Sequence, residues 1–174
     1  MQKKIKLRTL CETALLIALE VVLTRICSVN TLLTKIGLGF VPMALCGMLF
    51  GPWWAAAAYA LADIIGAVLF PVGPYMPLFT LTAALMGMCY GLLLHRKNLK
   101  FFPHIVCATV VYAVVLSWGV NTAWITLLYG STYVARLVTR LPQCLILLAA
   151  QLIILPLCAP LCRQLGKAGV VDCV

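Results

Sequence analysis

The chain alternates between long apolar runs and short polar breaks. Bilayer hydrocarbon takes about 20 apolar residues per crossing helix. The second apolar run is shorter than that, and the fifth and sixth are longer. The pattern predicts an all-α integral membrane protein with six transmembrane helices in a single membrane domain, residues 1–174. The helices are expected near residues 8–27, 38–50, 52–70, 79–95, 101–128 and 132–163.

Composition strengthens the membrane prediction. The chain is 64% hydrophobic and 10% charged, whereas an average soluble domain is roughly half apolar and about a quarter charged. The first residues are basic and then apolar, as in a secretory signal. No small-x-small cleavage site follows at the usual distance, so we expect the segment to stay as the first helix. Nine cysteines are scattered through apolar runs without a C-x-x-C pair, so we expect neither a metal site nor a disulfide framework.

The net charge of +9 is concentrated in particular breaks between the apolar runs. With both termini cytoplasmic, the following residues lie on the inner side: Lys3, Lys4, Lys6, Arg8, Arg96, Lys97, Lys100, Arg163 and Lys167. This is the distribution that the positive-inside rule expects of a multi-pass protein. The charge therefore indicates anionic lipid of the bilayer as a partner and requires no nucleic acid.

Four cations fall at or near the outer side against this bias: Arg25, Lys35, Arg136 and Arg140. Lys35 and Arg136 fit solvated or snorkelling side chains. Arg25 and Arg140 lie inside or at the edge of apolar stretches, where a charge is costly. Because a guanidinium pairs with two carboxylate oxygens at once, these two arginines are predicted to bind an anion.

Aromatic and amide side chains collect at the same end. Aromatic residues flank the last two outer loops: Phe70, Tyr75, Phe79, Trp118, Trp124, Tyr129 and Tyr133. An interfacial aromatic belt is the alternative reading. Asn121 and Gln143 lie within predicted helices, where a side-chain amide needs a partner. Rings, amides and arginines together favour a flat heterocycle that carries carboxylates.

Two further features have open interpretations. The segment 70-FPVGPYMPLFT-80 excludes a regular helix and is either a pre-shaped wall of the site or a simple turn. Small-xxx-small pairs occur at Ala14 and Ala18 and again at Ala58 and Ala62. Such spacing lets membrane helices approach closely, either within the chain or against another subunit.

Several segments together resemble the folate-family substrate-binding (S) components of energy-coupling factor (ECF) vitamin transporters, over roughly residues 8–160. They are 37-GLGFVPMALCGMLFGPWW-54, 59-YALADIIGAVLFPVGPY-75 with 77-PLFTLTA-83, and 121-NTAWI-125 with 140-RLPQ-143. The resemblance implies a six-helix protein of a prokaryotic plasma membrane, with cytoplasmic termini, that captures its vitamin at the extracellular side. It also implies a transmembrane coupling subunit and two cytoplasmic ATPase subunits as partners. ATP is then used by those partners, and this chain holds no cofactor.

The resemblance also suggests roles for individual residues. It places the pocket at Arg25, Tyr75, Phe79, Asn121, Trp124 and Arg140, to which the residue pattern adds Gln143. Ala14 and Ala18 match the alanine motif that contacts the coupling subunit. The family usually has glycine where this chain has Leu78, a difference that bears on the shape of the lid and on which vitamin binds.

The residue pattern is also compatible with other functions. An S component for another vitamin or heterocyclic anion would share the scaffold. A small intramembrane enzyme would need catalytic groups, and the candidates Glu20, Asp63, His95 and His104 form no cluster in the sequence. For Asp63, a structural pair with a buried polar group is favoured over a role in proton transfer. A secondary transporter acting alone would be expected to show an internal repeat, and none is evident.

Overall fold

The computed structural model describes residues 7–26, 28–30, 35–71, 75–95, 102–130 and 132–167. Its α-helices are α1 (Leu7–Arg25), α2 (Phe40–Phe50), α3 (Pro52–Leu69), α4 (Pro77–Leu94), α5 (Phe102–Val110), α6 (Asn121–Tyr129) and α7 (Tyr133–Lys167). A π-helical segment, Val111–Val120, joins α5 to α6 without a break. The described residues therefore form six continuous helical segments, and the predicted fold class is confirmed.

One small element departs from an all-helical chain. Two-residue strands, β1 (Val29–Asn30) and β2 (Lys35–Ile36), pair antiparallel between α1 and α2. The hydropathy pattern gave no indication of them, because two residues are too few to show an alternation. Among the basic residues assigned above to the inner side, several lie outside the described part of the chain: Lys3, Lys4, Lys6, Arg96, Lys97 and Lys100.

In the part of the chain that the structure describes, four helices are long and apolar enough to cross a membrane: Pro52–Leu69, Pro77–Leu94, Pro103–Tyr129 and Tyr133–Cys158. Many large apolar side chains point outward from the bundle, including Leu15, Val68 and Leu157, which are each more than 70% exposed. In water this surface would be unfavourable, whereas lipid accommodates it. The protein is a multi-pass membrane protein.

The turn between α2 and α3 depends on glycine and proline, as the sequence indicated. Gly51 adopts a positive φ of 92°, which an L side chain rarely tolerates. Pro52 follows at the first turn of α3, where its missing N–H costs nothing. The turn brings α3 back against α2 and lets both pack on α4.

The interior is formed mainly by α2, α3 and α4. Met43, Cys46 and Tyr90 are completely buried there. A Cβ at Gly91 would overlap Pro52 Cα, so the N-terminus of α3 and the C-terminal turn of α4 touch backbone to backbone. Close contact of this kind is how membrane helices gain van der Waals stabilisation.

Candidate functional site

A cavity of about 480 Å³ opens among α1, α3, α4, the π segment, α6 and α7. Its volume is within the range of small-molecule sites, roughly 300–1,000 Å³. Of the residues predicted from the sequence, six line it: Arg25, Tyr75, Phe79, Asn121, Arg140 and Gln143. Helix connectivity explains the clustering, because α1 and α3 end, and α4 and α7 begin, at the same end of the bundle.

Arg25 is already engaged by the protein. Its Nη2 lies 3.8 Å from Asp63 Oδ1, and its Nη1 donates to the carbonyl oxygen of Phe70 at 3.5 Å. Structural pairing was the role that the sequence favoured for Asp63, and in the structure Asp63 pairs with Arg25 while lining the cavity itself.

Arg140 has a different environment, half-buried in the second turn of α7. Its Nη1 donates to Thr122 Oγ1 at 3.1 Å and its Nε to Gln143 Oε1 at 3.4 Å. Among the residues that the structure describes, no carboxylate pairs with Arg140. A guanidinium that faces a cavity with only neutral partners can accept a ligand anion.

Asn121 follows the π segment directly and faces the cavity. Its Oδ1 is buried, and no donor among the described residues reaches it. Buried polar atoms in native proteins are nearly always paired, so this oxygen has the environment of an acceptor awaiting a ligand N–H. π-Helical turns are frequent at functional sites because they shift the register of the residues that follow.

Trp124 is not among the lining residues. Its indole N–H donates to Thr82 Oγ1 at 2.9 Å, and Thr82 in turn donates to the carbonyl oxygen of Leu78 at 2.9 Å. Thr82 does line the cavity. The structure therefore places Trp124 behind the wall, where it supports α4. Leu78 is likewise absent from the lining, so the departure at this position does not alter the wall directly.

The sequence did not assign the deep wall to the pocket. Glu20 lines the cavity at 6% exposure, together with Tyr59 and Tyr112, whose hydroxyl oxygens lie 3.3 Å apart. An acid within an apolar span indicates a site in its own right. Helical periodicity alone could not show that α1, α3 and the π segment bring these three groups together.

Other outer residues contact the protein itself, although Tyr129 also lines the cavity. Arg136 stacks over the ring of Tyr129 at 5.7 Å, and the Trp118 indole donates to Leu137 O at 3.0 Å. The side chain of Lys35 is outside the described part. Within the proline-rich segment 70–80, Pro71 and Tyr75 line the cavity. Residues 72–74 lie outside the described residues, and residues 77–80 already belong to α4, because proline is tolerated at the first turn of a helix.

These features define a class: a polytopic membrane protein with a solute-binding cavity enclosed by its helices. Its walls carry arginines, amides and aromatic rings, and the described residues contain no cluster of three metal-ligating side chains. Residues 8–159 match the family model "ECF transporter, substrate-specific component". The chain belongs to that family.

Known proteins resemble this chain along most of its length. It is 35% identical to the folate transporter FolT of Clostridium novyi over 136 residues, which is 78% of each chain. Identity to FolT of Leuconostoc mesenteroides is 27% over 130 residues, 75% of this chain and 70% of the relative. A crystal structure of FolT bound with folic acid superposes with a TM-score of 0.79 at 34% identity, and covers 85% of this chain and 90% of that one.

Proposed function

We propose that this chain is the substrate-capture subunit of an ECF transporter and that it binds folate in the cavity described above. The observation that carries the proposal is that two unsatisfied groups line one cavity. Arg140 has only neutral partners there, and no described donor reaches the buried side-chain oxygen of Asn121. Folate has carboxylates for the first and N–H donors for the second. The names of the relatives and the folic-acid complex of the structural neighbour support the same ligand.

The proposal includes the assembly and its orientation. The cavity opens to the extracellular side and both termini are cytoplasmic. A transmembrane coupling subunit and two ATPases power uptake, so ATP is hydrolysed by those partners and the chain alone catalyses no reaction. Family membership supports this assignment.

Titration of the purified protein with folic acid tests the ligand. We expect one-to-one binding, with thiamine, a cationic vitamin, as the negative control. Arg25→Ala and Arg140→Ala should each weaken binding. If neither substitution changes the affinity, the cavity is not the folate site.

An S component for a different heterocyclic anion is the second candidate. The observation that favours it is Leu78, which stands where the family usually has glycine. The support is weak, because the Leu78 side chain does not line the cavity. The mass and absorbance of the small molecule that copurifies with the protein separate the two. A pterin-like spectrum supports folate, and any other vitamin assigns the chain to a sister specificity.

A further inference from the structure

The guanidinium of Arg25 lies along one face of α3. It contacts Asp63 at 3.8 Å and the carbonyl oxygen of Phe70 at 3.5 Å. Between them, a Cβ at Gly66 would lie 2.8 Å from Arg25 Nε. Asp63 and Gly66 lie one turn apart on the same face of α3, so the absence of a side chain at Gly66 lets the guanidinium reach the carboxylate. Asp63 thus fixes the position of Arg25 at the cavity wall.

The other oxygen of the same carboxylate organises α4. Thr80 Oγ1 donates to Asp63 Oδ2 at 2.8 Å, and the hydroxyls of Tyr75 and Thr80 lie 2.8 Å apart. Thr80 has one hydroxyl proton, which it gives to Asp63, so Tyr75 must be the donor in the second bond. A single carboxylate therefore orients both an arginine and a tyrosine that line the cavity.

The wall of the cavity carries two guanidinium groups and two carboxylates. They belong to Arg25, Arg140, Glu20 and Asp63. Asp63 compensates Arg25, whereas no described carboxylate pairs with Arg140. The site therefore presents one uncompensated guanidinium to a ligand although it contains two arginines.

We propose that Asp63 sets the charge selectivity of the cavity, by neutralising Arg25 and, through Thr80, by holding Tyr75, so that the site favours ligands with few carboxylates. This inference rests on the proposed folate function. Removing the Asp63 charge would leave Arg25 uncompensated in a partly buried site, where Coulomb interactions are several times stronger than in water. Each further ligand carboxylate would then gain affinity.

Three probes of increasing charge test the inference: pteroic acid, folic acid and folyl-diglutamate. We measure the dissociation constant of each for the wild type and for Asp63→Asn, which keeps the shape and an acceptor oxygen. The affinity ratio of folyl-diglutamate to pteroic acid should rise about tenfold in the variant, which corresponds to the loss of one neighbouring charge. A rise of less than about threefold, or a fall, overturns the proposal.

Arg25→Gln gives the reciprocal test and decides the matter if Asp63→Asn does not fold. Asp63 then lacks its cation, so the same ratio should fall below the wild-type value. Combining both substitutions should bring the ratio back toward the wild type. A ratio that is unchanged in Arg25→Gln contradicts the proposal.

Substitutions at Thr80 separate the effect of the Asp63 charge from the effect of holding Tyr75 in position. Thr80→Val should weaken all three probes by a similar factor and leave the ratio unchanged, and Thr80→Ser should restore affinity because it keeps the hydroxyl. Thr139→Val is the matched control, since Thr139 is exposed and its hydroxyl donates within its own helix to Arg136 O. If Thr80→Val behaves like this control, Thr80 does not position Tyr75. If the wild type binds no folate, the proposed function itself fails, which is a separate result.

Discussion

At the scale of single residues, the two arginines that line the cavity have partners of different charge. Arg25 and Arg140 were both predicted to bind an anion because each lies in or beside an apolar run. The fold gives Arg25 a carboxylate partner and gives Arg140 only a threonine and a glutamine. Asp63 and Thr122 come from other helices, so the sequence around each arginine could not distinguish the two roles.

Arg140 is expected to dominate the recognition of the ligand anion. Arg140→Ala should weaken folate binding about 10- to 100-fold, since a hydrogen bond to a charged group contributes roughly 1.5–3 kcal/mol. Arg140→Lys retains the charge but not the planar pair of donors, so it should restore only part of the affinity. Calorimetric titration of both variants checks the order. Equal affinities for alanine and lysine variants would show that charge contributes nothing at this position.

Trp124 is expected to stabilise the fold through its hydrogen bond to Thr82. Thr82→Val leaves the indole N–H without its acceptor, and an unsatisfied buried donor costs about 1–3 kcal/mol. Trp124→Phe removes the donor and should destabilise less. The double variant should be more stable than Thr82→Val alone, because no orphaned N–H remains. Thermal unfolding in detergent measures this, and strictly additive losses would contradict the contact.

At the scale of the elements, the hydropathy pattern located the helices to within a few residues, but it did not indicate the π-helical segment. The observed α2 starts at Phe40 and α4 at Pro77, each two residues from the predicted start. The π segment left no trace in the sequence pattern, because its residues are as apolar as those of an α-helix. Its register shift brings Asn121 to the cavity, a placement that depends on packing against neighbouring helices.

The contact between α3 and α4 is expected to be intolerant of a single methyl group. Gly91→Ala places a Cβ against the backbone of Pro52, and overpacking of this kind costs about 1–3 kcal/mol. The thermal midpoint should fall by roughly 2–10 °C. Gly119→Ala is the matched control, because its Cβ meets only Val114 O at 3.4 Å. Similar midpoints for the two variants would mean that the helix contact is looser than described.

In the candidate site, the sequence predicted most of the polar residues near the outer end but not the acidic residues of the wall. Residue chemistry in the sequence pointed to Arg25, Tyr75, Phe79, Asn121, Arg140 and Gln143, which the structure brings to one cavity. It did not assign Glu20 or Asp63 to the wall. Depth within a helix can be counted along the chain, but the facing partner depends on tilt and rotation of the helices, which only the packed bundle determines.

At the scale of the whole molecule, the bundle distinguishes two alanine pairs of identical spacing. Ala58 and Ala62 are each 1% exposed and pack inside the protein. Ala14 and Ala18 are exposed on α1, beside outward-facing Leu15 and Leu19. Of the two interpretations that the sequence left open, internal packing therefore describes α3. The surface of α1 is available for close approach by another membrane helix.

A bulky residue on the exposed face of α1 should impair the uptake of folate without impairing its binding. Ala14→Trp and Ala18→Trp alter an exposed surface away from the cavity, so folate binding by the isolated protein should stay at the wild-type level. If a coupling subunit packs closely on these alanines, the indole holds the two helices apart, and both copurification of the complex and folate uptake by cells should fall. Ala57→Trp, at an exposed alanine of α3, is the matched control and should leave both intact. Unimpaired uptake by the α1 variants would place the coupling surface elsewhere, whereas loss of binding would show that α1 shapes the cavity and not the docking contact.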